Sequence, residues 1–429
     1  MFMISNENGK IELEGWAENV RNLGGLAFIT VRDINGRYQV TVSKNSNPEI
    51  FEKINEIKAE SVIKAVGEKK ENAKAVNGYE IIPEKLEIIT TAEQPVPLNL
   101  SEKVQSSLDK EIDFRFLSLR KPKTAAIFKI QSTVSNAITK FFEDQGFYQI
   151  HSSKIISQAT EGGANVFQVL YFDKTAFLAQ SPQFYKQMMM AAGFEKVFEI
   201  GPVFRAEPHH TSRHLTEYTS VDLEMSFIKS YEDVMSVMEK LILRIFKEVR
   251  ERNKNDLELY GIKLDDPQVP FPRITIKEAS EILKKYGNKL KDDGDIDPEG
   301  ERIMGQYVKE KYNSDFFFLT EFPWSIAQFY HMKKEDNKEV TNRADLIYKG
   351  LEITTLAQRE HRYDVLISQL KEKNLDPEKF KFYTDFFRYG VPPHGGSGTG
   401  LERIVKQMLN LENVAEATLL PRTPDRLMP

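Results

Sequence analysis

Hydrophobic and polar positions follow two different rhythms along the chain. Over the first hundred residues they alternate: Ile11-Glu12-Leu13-Glu14, residues 27–32 and residues 37–42 each switch between apolar and polar at successive positions. A period of two predicts strands with one buried face. Leu23-Gly24-Gly25 predicts a turn, and Asn35-Gly36 a hairpin. A polar, helical stretch at 48–60 separates these from further strands near 61–66 and 79–89. Pro95 and Pro97 then interrupt any regular element. Residues 115–123 (RFLSLRKPK) carry four basic and no acidic side chains and predict an exposed linker.

From Ala125 the period lengthens. Ile127, Ile130, Val134, Ile138 and Phe141 recur three and four apart, predicting an amphipathic helix that ends near Gly146. Val234, Met238, Leu241, Ile245 and Val249 predict a second long helix. Strand-like runs lie at 176–178, 196–205, 218–227, 316–320 and 345–355. Strands joined by hairpins rather than by regular crossover helices predict a mainly antiparallel sheet with helical cover. The expected fold class is α+β. Residues 1–104 form a small five-stranded barrel of the OB type, 105–124 a hinge, and 125–429 a domain of antiparallel sheet flanked by helices. The charged stretch 285–297 predicts a solvated loop.

Composition narrows the function. The 429 residues, 40% hydrophobic and 11% aromatic, suffice for two or three domains with real cores. The absence of cysteine excludes a disulfide framework, a thiolate zinc site, an iron–sulfur cluster and a cysteine nucleophile. No apolar run approaches the roughly 18 residues of a membrane span. The start of the chain, Met1-Phe2-Met3-Ile4 and then Ser5-Asn6-Glu7-Asn8, is too short and polar for a signal peptide, so a soluble cytoplasmic protein is expected. Its 59 basic and 64 acidic side chains leave a net charge of -5, which excludes coating of nucleic acid by bulk charge.

Pleat alternation sorts the barrel's side chains by face. Ala27, Ile29 and Val31 turn inward with Tyr38, Val40 and Val42, leaving Phe28, Thr30, Arg32, Arg37, Gln39 and Thr41 outside. An aromatic ring beside arginines and an amide suits stacking and edge-reading of unpaired bases. A lone exposed phenylalanine is also common without any ligand, and residues 1–104 hold 13 basic against 16 acidic side chains.

Two features in the larger domain carry sharper chemistry. Gly395-Gly396-Ser397-Gly398-Thr399-Gly400-Leu401-Glu402-Arg403 has neither a P-loop ending nor dinucleotide-fold spacing. A helix with Leu401, Ile404, Val405, Met408 and Leu409 on one face follows it, so Arg403 stays off the apolar stripe, free for phosphate. Phe204-Arg205-Ala206-Glu207 and a return strand to Glu224 flank the loop Pro208-His209-His210-Thr211-Ser212-Arg213-His214. Nearby thiolates or carboxylates are too few for a metal site there; a cationic loop over phosphates is the better account.

Together these two features resemble motifs 2 and 3 of the class II aminoacyl-tRNA synthetases. Further segments are similar to the aspartyl-tRNA synthetases of the archaeal/eukaryotic kind: Thr160-Glu161-Gly162-Gly163-Ala164, Gln180-Ser181-Pro182-Gln183 with Lys186, Arg213-His214-Leu215-Thr216-Glu217, Gln358-Arg359-Glu360-His361, Tyr389-Gly390-Val391-Pro392-Pro393-His394 and Pro421-Arg422. The similarity covers essentially the whole chain.

The resemblance implies ligation of L-aspartate to tRNA(Asp) through an aspartyl-adenylate, with ATP and Mg2+, in a homodimer. It places Arg205, Glu207, Arg213, His214, Tyr218, Glu352, Gly400 and Arg403 on ATP, with Arg205 and Arg403 as the catalytic pair. Lys186 and Arg359 take the substrate side chain, Gln183 and Thr355 lie nearby, and Glu161 and Asp222 hold the α-ammonium. Asp345, Glu352 and Thr355 are the implied metal site. If Lys349-Gly350 is a two-residue turn, Ile347 lies opposite Glu352, and Asp345 and Glu352 become neighbours on one face. Gly15-Trp16, Gly24-Gly25, Phe28, Arg32, Gln39 and Glu80 fall on the implied anticodon surface.

Some positions depart from the family pattern. His151-Ser152-Ser153-Lys154 replaces the motif 1 proline of the dimer-interface segment. Thr355-Leu356 replaces Ser-Gly, so a leucine could crowd the pocket or shift nearby backbone. Ala327-Gln328 stands where Arg/Lys-Pro precedes Phe-Tyr, and Glu18 where an aromatic or histidine is frequent. Whether tRNA(Asn) is charged as well as tRNA(Asp) stays open. The alternatives are an asparaginyl-tRNA synthetase, a tRNA-independent asparagine synthetase-type ligase, and a non-catalytic tRNA-binding paralogue.

Overall fold

The computed structural model describes residues 3–5, 10–101, 104–157, 165–208 and 211–428. They form two compact units, Met1–Pro122 and Lys123–Pro429. In the first unit, β1 (Met3–Ser5), β2 (Ile11–Asn22), β3 (Leu26–Arg32), β4 (Arg37–Ser43), β5 (Val62–Glu71) and β6 (Tyr79–Thr90) follow the order β1-β2-β3-β4-β6-β5. Pairing of β2 with β5 closes the barrel, and α1 (Pro48–Lys53) is capped by the Asn47 side chain. The alternation in the sequence is the alternation in the fold: Leu13, Ala27, Ile29, Val31, Val40 and Val42 fill the interior. Gly15 is required where strands approach, because a Cβ there would lie 2.5 Å from the Arg32 carbonyl oxygen.

The stretch expected as an exposed linker is folded. It holds α2 (Leu108–Asp113) and α3 (Arg115–Ser118), with Arg115, Leu117 and Ser118 buried. Arg120 Nη1 lies 2.9 Å from Glu60 Oε2, its guanidinium sits over the Trp16 ring, and Lys121 pairs with Glu111. Arg120 and Lys121 thus serve internal pairs, which sequence spacing does not reveal.

In the second unit, α4 (Pro122–Asp144) leads through β7 (Tyr148–Gln149), β8 (Ile155–Ile156), β9 (Gln168–Tyr171) and β10 (Lys174–Leu178) to α5 (Gln183–Ala191). β11 (Lys196–Phe204), β12 (Glu217–Ser226), α6 (Tyr231–Arg252), α7 (Lys254–Glu258), β13 (Arg273–Thr275), α8 (Ile276–Lys285) and α9 (Pro298–Tyr312) follow. Then come β14 (Phe316–Thr320), β15 (Arg343–Tyr348), β16 (Leu351–Gln358), α10 (Tyr363–Glu372), α11 (Lys381–Thr384), β17 (His394–Gly400) and α12 (Leu401–Met408). The main sheet has the order β13-β14-β15-β16-β17-β12-β11-β7. It is antiparallel except at its two edges, where β13 and β7 pair parallel to their neighbours.

One face of this sheet is apolar and covered. Val221, Leu223, Ala344, Leu346 and Leu356 pack in one core with Ile130, Val134 and Ile138 of α4 and Met238, Leu241 and Ile245 of α6. On the opposite face β12 and β16 present polar alternates such as Asp222, Glu224 and Thr355, while Phe317, Leu319 and Ile347 of β14 and β15 pack in another core with α8 and α9. Leu356, which could have crowded the pocket, points to the covered face and lies directly opposite Ala344 in the ladder. The small partner makes room for the large side chain, so the pocket is not invaded.

Candidate functional site

The polar face encloses a cavity of about 330 Å³. Its walls come from α5, β11–β12 with their connecting loop, β15–β16 and β17–α12. Strand period explains the convergence: β12 sends Val221 and Leu223 into the core, hence Ser220, Asp222 and Glu224 the other way.

At one end sit two buried cations. Lys186 Nζ lies 2.7 Å from Asp222 Oδ1, 2.8 Å from the Ser397 carbonyl oxygen and 3.6 Å from Glu224 Oε2. Arg359 donates from Nε to Glu224 Oε1 at 3.0 Å. Gln183 is buried beside them and donates to Gln187 Oε1 at 2.9 Å. Glu224, fully buried between the two cations, is a residue the sequence reading missed. Its signal was two carboxylates two apart on a strand, Asp222 and Glu224, alternating with the apolar Val221, Leu223 and Met225. Glu224 also explains a glycine: a Cβ on Gly396 would come within 2.2 Å of Glu224 Oε2 and 2.1 Å of the Leu223 carbonyl oxygen. His331, also missed, lines this end. Burial, with Arg359, Arg343, Lys373 and Lys186 adding to it, holds its imidazole well below the ordinary histidine range.

Arg205, Glu207, Arg213, His214, Tyr218, Glu352, Thr355, Gly400 and Arg403 line the rest of the cavity. The Arg205 guanidinium lies 5.8 Å from the centre of the Tyr218 ring. Arg403 Nη1 donates to the Glu352 carbonyl oxygen at 2.7 Å. Arg213 pairs with Glu301 of α9, whose carboxylate also accepts the Glu352 N–H at 3.0 Å. Nothing in the spacing of residues 213 and 301 announced that contact. Burial would lift the Glu352 carboxyl, but Arg403, Arg343, the Thr355 hydroxyl and Arg205 outweigh it and hold the group low.

The Lys349-Gly350 turn forms with both residues at positive φ, and Ile347 pairs with Glu352 as the two-residue turn requires. A bulge then shifts the register between Leu346 and Ile347, bringing Asp345 opposite Thr355. Thr355 donates to Glu352 Oε1 at 3.1 Å. All donors are oxygens, as a hard divalent cation requires. Among the described residues no group of three His, Cys, Asp or Glu side chains is placed to hold a metal. Glu352 and Thr355 face the cavity and fit the implied ion. Asp345 fits less well: Arg343 forks onto it, Nη2 to Oδ2 at 2.8 Å and Nε to Oδ1 at 3.2 Å, and Arg343 rather than Asp345 lines the cavity. Burial pushes the Asp345 carboxyl up to about 7, against the pull of Arg343. Glu161, expected at the α-ammonium, lies outside the described residues, as do its neighbours 158–164.

On the barrel, Phe28 and Gln39 sit half-buried on the expected face, but Arg32 does not. It is 4% exposed and donates to Glu60 at 2.6 Å, so it is an internal counter-ion. Thr41 is buried as well. Glu80 is buried and accepts from Thr41 at 2.6 Å and Gln39 at 3.1 Å. Burial works to raise its carboxyl, yet hydrogen bonds from Thr41, Asn72 and Gln39 leave it below the usual range. Arg37 is held by Glu18, Nε to Oε2 at 2.6 Å.

Comparison with known proteins agrees with this architecture. Residues 107–424 match the family model of class II tRNA synthetases (D, K and N), and residues 11–89 match the OB-fold nucleic acid binding domain. The chain is 48% identical over 424 residues to the aspartate--tRNA(Asp) ligase of Pyrococcus abyssi, covering 98% of this chain and 97% of that one. It is also 48% identical over 426 residues to the aspartate--tRNA(Asp/Asn) ligase of Aeropyrum pernix, covering 98% and 96%. Among solved structures, the asparaginyl-tRNA synthetase of Pyrococcus horikoshii complexed with asparaginyl-adenylate superposes with a TM-score of 0.91 at 33% identity, covering 98% and 96%. The aspartyl tRNA synthetase of Entamoeba histolytica superposes with 0.88 at 33% identity, covering 100% and 90%. Shape alone thus does not separate aspartate from asparagine enzymes, whereas the site's charges bear on that choice. With motifs 2 and 3 walling one cavity and an OB-fold barrel preceding it, the chain belongs to the class II tRNA synthetases of the D, K and N group.

Proposed function

We propose that the protein ligates L-aspartate to tRNA in two steps, through aspartyl-adenylate. The observation that carries this reading is the pair of buried cations, Lys186 and Arg359, at the inner end of the cavity. Their charges are balanced by Asp222 and Glu224. Aspartate brings an ammonium for Asp222 and a β-carboxylate for Lys186 and Arg359, so the buried charge stays balanced. Asparagine brings the ammonium alone and leaves an excess positive charge in a site that cannot hydrate it.

Catalysis is positioning and charge stabilisation, since no enzyme nucleophile is needed. Arg205 bridges the α-carboxylate and the α-phosphate as carboxylate oxygen bonds to phosphorus and pyrophosphate leaves. Arg403, with Arg213 and His214 from the loop, takes the outer phosphates; Tyr218 and Glu207 hold adenine, and Gly400 leaves room beside the nucleotide. Bound Mg2+ would neutralise phosphate charge, held by the Glu352 carboxylate and the Thr355 hydroxyl. The 3′-terminal hydroxyl of tRNA then attacks the acyl carbon and AMP leaves. Phe28, Gln39 and Glu80 are read as the anticodon contacts, and a homodimer as the working assembly. The exposed Leu170 and Phe172 supply apolar surface for a partner copy. No helix of the described residues is long and apolar enough to cross a membrane.

Aspartate-dependent exchange of pyrophosphate into ATP, with asparagine and lysine inactive, is the expected result. Equal exchange with asparagine would overturn the assignment. Charging tRNA(Asp) and tRNA(Asn) transcripts in parallel decides whether one tRNA or both are used.

A further inference from the structure

Asp345 and Arg343 stand two apart on β15, so their side chains share the cavity face of the sheet. The guanidinium grips the carboxylate through two nitrogens, at 2.8 and 3.2 Å. Its position is fixed from another direction by the Phe322 ring, whose centre lies 4.1 Å from Cζ. Arg343 therefore stands on the cavity wall, next to Glu352 and Thr355, while Asp345 is withdrawn from it with 4% exposure. A guanidinium carries five N–H groups, and two contacts to Asp345 leave Nη1 with donors for phosphate.

We propose that Arg343 is a fixed cation of the nucleotide site: it takes Asp345 out of the divalent-metal set and meets the ATP phosphates itself, so that one metal ion fewer binds with ATP. The inference rests on the reading of this cavity as an ATP site. A divalent ion at Asp345 would have to displace a bidentate, partly buried guanidinium and would place two positive charges in one small space. At Glu352 the nearest paired cation, Arg403 Nη1, stands 3.6 Å from Oε1 through one contact rather than a bidentate fork, so an ion at Glu352 and Thr355 meets a looser competitor. Arg343 is unable to lose its proton at any ordinary pH, so this charge is always present, whatever the magnesium concentration.

Counting bound Mn2+ by electron paramagnetic resonance, with ATP present and aspartate absent, tests this without reference to turnover. Asp345→Asn, which keeps the side chain's shape, is expected to bind as many ions as the unaltered protein. Arg343→Ser is expected to bind one more, and Arg343→Ser with Asp345→Asn to lose that extra ion again. Arg343→Lys, which keeps a cation, is expected to stay at the original count. Fewer ions in Asp345→Asn than in the unaltered protein would overturn the proposal, and that arm decides the matter even if Arg343→Ser does not fold. An unchanged count in a folded Arg343→Ser would overturn it equally. If the unaltered protein binds no Mn2+ with ATP, the nucleotide-site reading falls and this inference with it. Loss of aspartate-dependent exchange with the expected counts intact would instead sink only the choice of amino acid.

Discussion

The Glu224 carboxylate bridges Arg359 and Lys186, with Oε1 3.0 Å from Arg359 Nε and Oε2 3.6 Å from Lys186 Nζ. Both cations are thus held in place before substrate arrives, and neither has to be desolvated on binding. Removing either leaves a carboxylate stranded in a dry site, which costs on the order of 3–5 kcal/mol. Lys186→Ala and Arg359→Ala are expected to lower aspartate-dependent pyrophosphate exchange at least about 100-fold, with ATP binding retained. Near-normal exchange in both variants would remove the basis for aspartate as substrate.

Arg32 and Phe28 both lie on β3 but have different tasks. Arg32→Ala leaves the buried Glu60 with Arg120 alone, and a loss of about 3 kcal/mol in the barrel's stability is expected. Phe28→Ala should leave denaturation within about 1 kcal/mol of the original and weaken tRNA binding by about 1–3 kcal/mol. Titration with a tRNA(Asp) transcript and urea unfolding separate the two. A stable Arg32→Ala variant with weakened tRNA binding would reverse the assignment.

Leu356 fills the core opposite Ala344 and does not line the cavity. Leu356→Ala is therefore expected to destabilise the protein by about 2–5 kcal/mol, leaving the KM for aspartate unchanged. A shifted KM at undiminished stability would show that the leucine shapes the pocket after all.

His394 is wholly buried, its Nδ1 2.8 Å from the Pro392 carbonyl oxygen and its Nε2 2.8 Å from Gln187 Nε2. The neutral imidazole donates from Nδ1 and accepts at Nε2. Gln187 in turn accepts from Gln183 and Tyr383 Oη. A second ring proton would face the Gln187 amide N–H and break that chain. Burial accordingly pushes the imidazole down to about 4. Because the folded value lies below the unfolded one, the unfolded chain takes up the proton first. Stability is complete above the unfolded value of about 6.5 and declines as pH falls towards 4. The full effect is on the order of 3 kcal/mol at 1.36 kcal/mol per unit. Asp345, raised to about 7, contributes with the opposite sign over the same range, so the test is a difference: from pH 7.5 through 6 to 5 the urea midpoint of the unaltered protein should fall relative to that of His394→Gln. A difference that does not change with pH would show that the histidine is not the group titrating.

What the sequence determined by itself was the part of the protein that local periodicity and short motifs encode. The period of two put Ile29 and Val40 inside the barrel, and the three-four spacing of Ile127, Ile130, Val134 and Ile138 marked the face of α4 that meets the sheet. The Phe204-Arg205 and Gly398 to Arg403 segments named one cavity because their residue order matches a known chemistry. The tertiary structure decided which charges meet. Arg32 and Glu60 are 28 residues apart, and Arg359 and Glu224 are 135 apart. Burial turned one exposed-looking arginine into a counter-ion, and placed a carboxylate between two buried cations. Even Arg343 and Asp345, neighbours in the chain, were not legible as a pair: a strand puts both on one face, but only packing against Phe322 fixes the guanidinium there. Periodicity reports which face a residue occupies. Pairing depends on desolvation and on distances of a few ångström, which the folded chain alone sets.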